Sequence, residues 1–503
     1  MKPFISCLLS VVLLFALKPS SLQAQQKDGA VIAGDFADPS IIKSGNTYYA
    51  VGTSSEWAPH FPVYTSTDLK SWKQTGYIFD KAPAWTSGSF WAPEYYKIND
   101  TYYIYYTARR KSDNTSFIGV ATSKYPDRGF TDHGIIVEFG KEAIDAFIIK
   151  DNGQLYITFK AYGLDDRPIE ILGSKLSADG LKLEGETFSL LKDESRIGME
   201  GQSIIKKDGY YYLFYSAGNC CGVQCSYNVR VARSKNFKGP YEVYGNNPIL
   251  TENDNWKCMG HGTFVKINDN KYEYLHHAYN KKSTVFTGRQ GLLSELSWPK
   301  KGGWPVFKPQ VIAGPAVSNI NETFTAAKPG KYWQWDFRNS WPVVKQQKGV
   351  LHLSGKVKAG NETGIVLTAR PVSGSFEMTT TVANHNEALK GLAFYGDANA
   401  AIGIGTSGDK VILWQVKDNK YTILAETKAA TSSPVQLKLS LNNSTTCSFF
   451  YKQGTGEWKP LTSTTPIDIN FLPQWDRSPR AGLHFKGNAT EEAQFSAFGV
   501  VNK

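Results

Sequence analysis

Three acidic residues, Asp38, Asp145 and Glu200, each stand at the head of a short apolar run that ends in lysine: Asp38-Pro-Ser-Ile-Ile-Lys43, Asp145-Ala-Phe-Ile-Ile-Lys150 and Glu200-Gly-Gln-Ser-Ile-Ile-Lys206. One Asp before a strand is commonly a turn or cap residue. Acids at matching places in separate segments are harder to dismiss, because gathering like charges is costly and such clusters persist where function needs them. Three carboxyl groups suit one chemistry in particular. Hydrolysis of a glycosidic bond takes one carboxylic acid to protonate the leaving oxygen and a second carboxylate as base or nucleophile.

The segments that carry these acids belong to a fivefold repeat. The other copies are Ala92-Pro-Glu-Tyr-Tyr-Lys97 and His261-Gly-Thr-Phe-Val-Lys266, and in all five a Tyr follows the lysine by six residues across a turn rich in Gly, Asn or Asp. This is a β-hairpin pattern: the turn residues tolerate positive φ, and β-branched and aromatic runs supply the strands. The anchor lysines, Lys43, Lys97, Lys150, Lys206 and Lys266, lie 54, 53, 56 and 60 residues apart, which leaves room for four strands per unit. A second motif follows four of the hairpins, as in Val120-Ala-Thr-Ser-Lys and Val231-Ala-Arg-Ser-Lys, and reads as outer strands. Repeated four-stranded units predict a five-bladed β-propeller, with a β-sandwich as the competing architecture.

In a propeller the first strand of each blade lines the central channel. The position five before each lysine holds Asp38, Ala92, Asp145, Gly201 and His261, with Glu200 one residue earlier in the fourth copy. The three acids and the histidine are thus expected to meet at the axis. Phe36, Trp57, Trp91 and Phe147 flank the acids in sequence and are candidates for a sugar-stacking platform, or for blade packing.

The rest of the 503-residue chain frames this site. Lys2, the apolar run from Leu8 to Leu17 and the small residue Ala24 read as a signal peptide over residues 1–24, which predicts a secreted or periplasmic protein with no stable membrane insertion. The propeller is expected over residues 27–318. A stretch rich in Ala, Gly, Pro and Ser around residues 313–330 reads as a linker, and short alternating strands predict a lectin-like β-sandwich over residues 330–503, so the fold class is all-β. The formal charge of +11 comes from scattered lysines with no basic run, which argues for a solvated surface and against a nucleic-acid partner. Beyond the leader five cysteines remain, so at least one thiol lacks an intramolecular partner; export favours a disulfide among Cys220, Cys221, Cys225 and Cys258 over a metal site.

Taken together, residues 33–310 resemble glycoside hydrolase family 43, in the order Ala37-Asp38-Pro39-Ser40, Trp91-Ala92-Pro93-Glu94, Ile144-Asp145-Ala146-Phe147, Met199-Glu200-Gly201 and Gly260-His261-Gly262. Trp333-Gln-Trp-Asp-Phe is similar to the sandwich appended to xylosidases and arabinofuranosidases of that family. Ala146 departs from the Pro that many members carry. The related fructosidase group has Arg-Asp-Pro and Glu-Cys at its other acids, and neither occurs in this context.

The resemblance implies an exo-acting, inverting hydrolase that removes terminal pentoses, of the α-L-arabinofuranosidase or β-xylosidase type, from plant-type oligo- or polysaccharides. Asp38 would be the general base, Glu200 the general acid, and Asp145 the residue that orients Glu200 and raises its pKa. Inversion predicts carboxyl groups about 6.5–9.5 Å apart. Arg289 resembles the family's basic residue near the sugar, with a salt-bridged structural Arg as the alternative. His261 has two readings, a ligand through water to a structural calcium ion or other cation, or a hydrogen-bonded structural residue; no cofactor is needed for the chemistry. A β-galactofuranosidase, an endo-arabinanase and a non-catalytic carbohydrate-binding propeller are the alternatives.

Overall fold

The computed structural model describes residues 29–161, 168–283, 287–311, 317–442, 445–461 and 466–503. The leader falls outside the described residues. Every named element among them is a strand, and no helix is long and apolar enough to cross a membrane.

Five four-stranded antiparallel sheets follow one another along the chain as the blades of a propeller. Their innermost strands are Ser40–Ser44, Thr86–Ile98, Ala143–Asp151, Met199–Lys207 and Trp256–Asn268. The repeated lysine has a physical role in three of these hairpins, where a second tyrosine stands five residues after it, just before the repeated one. Lys43 pairs across the strands with Tyr48, Lys97 with Tyr102 and Lys206 with Tyr211, and each ammonium lies 4.8–5.2 Å from the facing ring centroid. Such contacts are worth about 0.5–1 kcal/mol at exposed sites.

The ring closes through the segment before the first blade. Ile32 and Gly291 exchange two backbone hydrogen bonds, and Phe36 N–H donates to the Arg289 carbonyl at 2.7 Å. The start of the propeller is therefore stitched to strand Arg289–Ser297 of the last blade.

The C-terminal unit is a sandwich of a nine-stranded and a six-stranded antiparallel sheet, whose facing apolar residues, among them Leu353, Leu392, Leu437 and Phe495, form one core. Its first strand, Ile320–Glu322, pairs with the last, Ala493–Asn502, so the sandwich starts inside the stretch expected to be linker. The residues there are mostly small and polar, and their pairing is dictated by a partner strand at the far end of the chain. Strand Trp335–Asp336 in turn pairs with Trp57–Ala58 of the propeller, which fixes the sandwich to the blade that carries Asp38.

Candidate active site

The five residues aligned by the repeat share one backbone state. Asp38, Ala92, Asp145, Gly201 and His261 have φ of 50°, 44°, 60°, 59° and 39°. A positive φ is unfavourable for residues with a side chain and needs support from the surroundings. The preceding blade supplies it. Thr53 Oγ1 accepts the N–H of Ala92 (2.9 Å), Thr107 Oγ1 that of Asp145 (3.3 Å), Ser216 Oγ that of His261 (2.8 Å) and His277 Nδ1 that of Asp38 (3.0 Å). These acceptors stand ten residues past the anchor lysine, eleven in the fifth blade, so they too form a sequence repeat that the first pattern passed over.

The fourth blade departs from this rule, and the departure explains Glu200. A Cβ on Gly201 would lie 2.7 Å from Cγ of His261, so that position has no room for an acid and the residue before it carries the carboxylate instead. The acceptor position of the third blade holds Lys160. The Gly201 N–H turns to Asp145 Oδ2 at 2.9 Å, and Lys160 Nζ is 2.6 Å from Glu200 Oε2.

Asp38 is buried, with Oδ2 accepting from Thr53 Oγ1 at 2.7 Å and Oδ1 3.2 Å from Arg289 Nη1 and 3.5 Å from His261 Nδ1. Burial opposes its charge, but Arg289 above all, with His261, outweighs it and holds the carboxyl far below the usual carboxylate range. His277 is a neutral ring: burial pushes it down to about 4, and its Nδ1 lone pair is used by the Asp38 N–H. Asp145 is pushed up to about 6, by burial above all and by the neighbouring Glu200, against the pull of His261. His261 Nδ1 lies between the two aspartates, 3.8 Å from Asp145 Oδ2.

Glu200 Oε1 accepts the Tyr227 hydroxyl at 3.0 Å. Burial raises its pKa, yet the charge and hydrogen bond of Lys160 win and hold it below the ordinary value. Lys160, and not Asp145 as expected, therefore sets the net direction of the Glu200 shift. Lys160, absent from the sequence-derived candidates, neutralises the more exposed acid, and burial makes Asp145 the weaker acid of the two.

Arg289 also donates to the carbonyl of Asp476 at 2.7 Å, and the Asp476 carboxylate accepts the Trp91 indole N–H at 3.0 Å. A loop of the sandwich therefore reaches the rim of the propeller site. Trp91 is half-buried there, with the Arg109 guanidinium 5.5 Å from its ring. The other aromatics do not form a platform. Phe36 is 0% exposed and packs edge-on against Tyr64, and Trp57 is 0% exposed beneath Arg480 and Tyr395 of the sandwich. Phe147 is half-buried against the apolar cluster between the third and fourth blades, which includes Ile149 and Met199. Proximity in sequence placed these rings beside the acids, but strand alternation and the domain interface turned them away.

Two disulfides, Cys220–Cys221 and Cys225–Cys258, lie in and around the loop that leads to Tyr227, and Cys447 is free and buried. Among the described residues no three His, Cys, Asp or Glu side chains are arranged to ligate an ion. Asp38, the nearest carboxylate to His261, is already paired with Arg289.

The profile of "Glycosyl hydrolases family 43" matches residues 28–305, more than half of the chain. The chain belongs to this family. A profile described as "Beta xylosidase C-terminal Concanavalin A-like domain" matches residues 321–479. An extracellular exo-α-(1→5)-L-arabinofuranosidase of Cellvibrio japonicus (strain Ueda107) is 31% identical over 54% of this chain and 86% of its own length. An extracellular endo-α-(1→5)-L-arabinanase of Bacillus subtilis (strain 168) is 29% identical over 54% of this chain and 87% of its own. The crystal structure of a xylan β-1,4-xylosidase from Bacillus halodurans C-125 superposes with a TM-score of 0.81 at 21% identity, covering 93% of this chain and 99% of that one, a likeness of fold that includes the sandwich. The protein is a family 43 glycoside hydrolase with a carbohydrate substrate.

Proposed function

We propose that this family 43 enzyme is an exo-acting, inverting pentosidase that removes terminal α-L-arabinofuranosyl or β-xylosyl residues from plant-type oligo- or polysaccharides. The observation that carries the exo reading is the Asp476 loop: a sandwich residue bonded to both Arg289 and Trp91 walls one side of the cleft, where an endo enzyme would need a groove open at both ends. The arabinofuranosidase and xylosidase names among the relatives support the sugar class.

In this reading Asp38 is the general base. Its carboxylate stays ionised beside Arg289, takes one proton from a water molecule and leaves the hydroxide to add to the anomeric carbon. Glu200 gives its proton to the glycosidic oxygen, the bond to the anomeric carbon breaks, and the leaving sugar departs as an alcohol. Both carboxyl groups then return to their starting states by exchange with solvent. Asp145 accepts the Gly201 N–H and so fixes the backbone that carries Glu200, while its anionic form favours a protonated acid. The extracellular relatives support export by the N-terminal leader.

The test is a panel of p-nitrophenyl pentosides with arabinan, arabinoxylan and xylo-oligosaccharides, with products followed by NMR. Release of single pentoses with inverted anomeric configuration is expected, together with loss of turnover in Glu200→Gln. Mainly internal cuts would favour the endo-arabinanase alternative, release of galactofuranose the galactofuranosidase, and an unchanged Glu200→Gln variant would remove the assignment.

A further inference from the structure

Lys160 breaks a rule that the other four blades obey. Thr53, Thr107, Ser216 and His277 all use this position to accept a backbone N–H from the next blade, an act that an ammonium cannot perform. The Gly201 N–H takes Asp145 Oδ2 as its acceptor instead, and the site gains a buried cation 2.6 Å from Glu200 Oε2. A cation held against the residue read as the general acid is opposed to that role, since an acid must hold a proton. A contact that disables the acid makes sense only if it is released during turnover.

We propose that Lys160 is a positioning residue that holds the Glu200 carboxylate in place in the free enzyme and passes to a hydroxyl of the bound glycoside, so that Glu200 becomes a competent acid only when substrate is present. The inference rests on the reading of Glu200 as general acid. When the ammonium moves to a sugar oxygen, Glu200 takes one proton from solvent and later delivers it to the leaving oxygen; Lys160 keeps all three of its own protons throughout. The exchange confines proton donation to the occupied site.

The groups facing this pair come from several elements. Asp145 on the first strand of the third blade and Glu142 just before it help keep Lys160 charged against the cost of its burial. His261 on the fifth blade and Tyr227 before strand Asn228–Ser234 stabilise the anionic form of Glu200, and the charge of Arg109 acts on Glu142. None of these other groups is placed to leave Glu200 for a sugar: His261 is framed by two aspartates, and Tyr227 stacks on His277 with its ring centroid 5.7 Å away.

The pH dependence tests this directly. The alkaline limb of kcat/KM reports the acid in the free enzyme and that of kcat the acid in the complex. In the parent enzyme the kcat/KM limb is expected about one unit or more below the kcat limb. Lys160→Met is expected to raise the kcat/KM limb by about 1–3 units, the usual effect of removing an adjacent opposite charge, and to close the gap; Lys160→Arg is expected to keep it. Coincident limbs in the parent would overturn the proposal without any variant. Carboxyl-13C glutamate labelling of the ligand-free protein, with the Glu200 resonance assigned by its loss in Glu200→Gln, gives a readout that does not need turnover. Glu200 titrating at the same pH in the parent and in a folded Lys160→Met or Lys160→Gln variant would overturn the proposal. A parent enzyme inactive on every pentoside would instead overturn the functional reading.

Discussion

His277 Nδ1 accepts the backbone N–H of Asp38 at 3.0 Å, so a side chain of the last blade supports the positive-φ residue that heads the first. One of the hydrogen bonds between the last blade and the first thus also supports the active site. Replacing His277 by Leu leaves that buried N–H without an acceptor, at an expected cost of about 1–3 kcal/mol. Urea unfolding measures the cost, and kcat/KM on an aryl pentoside should fall with it. A variant as stable and as active as the parent would show that Asp38 does not depend on this support.

Arg289 is expected to set the acidic limb of the pH–rate profile. It is the strongest of the charges that keep Asp38 ionised against burial, so Arg289→Met should raise the Asp38 pKa. A general base works only when ionised, and the acidic limb of kcat/KM should therefore move to higher pH. Arg289→Lys should recover part of the shift, because a single ammonium does not reproduce the fork that spans Asp38 and Asp476. An unmoved limb in Arg289→Met would assign that ionisation elsewhere.

His60 should make the domain interface sensitive to acid. Its ring stacks on Phe90 at 3.9 Å and meets Phe337 of the sandwich at 4.7 Å, neither ring nitrogen has a hydrogen-bond partner among the described residues, and burial lowers its pKa from 6.5 to about 3. The unfolded chain takes up a proton as pH falls below 6.5 and the folded chain does not, so this histidine withdraws stability from pH 6.5 downward. Between pH 8 and pH 5 the stability difference should shift by about 2 kcal/mol in favour of His60→Leu over the parent. Equal pH slopes in the two proteins would count against a buried, neutral His60.

Cys225–Cys258 ties the loop ahead of Tyr227 to the first strand of the fifth blade. The cross-link closes a loop of 33 residues, and replacing both cysteines by Ser should cost about 2–4 kcal/mol. Because Tyr227 hydrogen-bonds Glu200, kcat should fall more than stability at the assay temperature would explain. A destabilised variant with full kcat would separate the disulfide from the site.

The sequence by itself determined the repeat, and through it much of the site. Lysine, turn and tyrosine recur because each blade solves the same local problem of a tight hairpin with a supported edge, and local rules are written in adjacent residues. Counting back from those lysines brought Asp38, Asp145 and His261 to one place. The offset of Glu200 was visible as well, although its cause, the lack of space for a Cβ between Gly201 and His261, is not.

What only the tertiary structure decided is which charges meet those acids. Lys160, Tyr227, His277 and Asp476 reach the site from second strands, from a disulfide-bearing loop and from the other domain; the repeat spacing marks the positions of Lys160 and His277 but not what they touch, and nothing in the immediate sequence marks Tyr227 or Asp476. The same holds for Phe36 and Trp57, whose burial depends on which face of a strand is covered and by what. Ionisation follows this assembly rather than residue type. A Glu and an Asp of nearly equal intrinsic acidity are driven apart in opposite senses because one meets an ammonium and the other is buried beside a carboxylate.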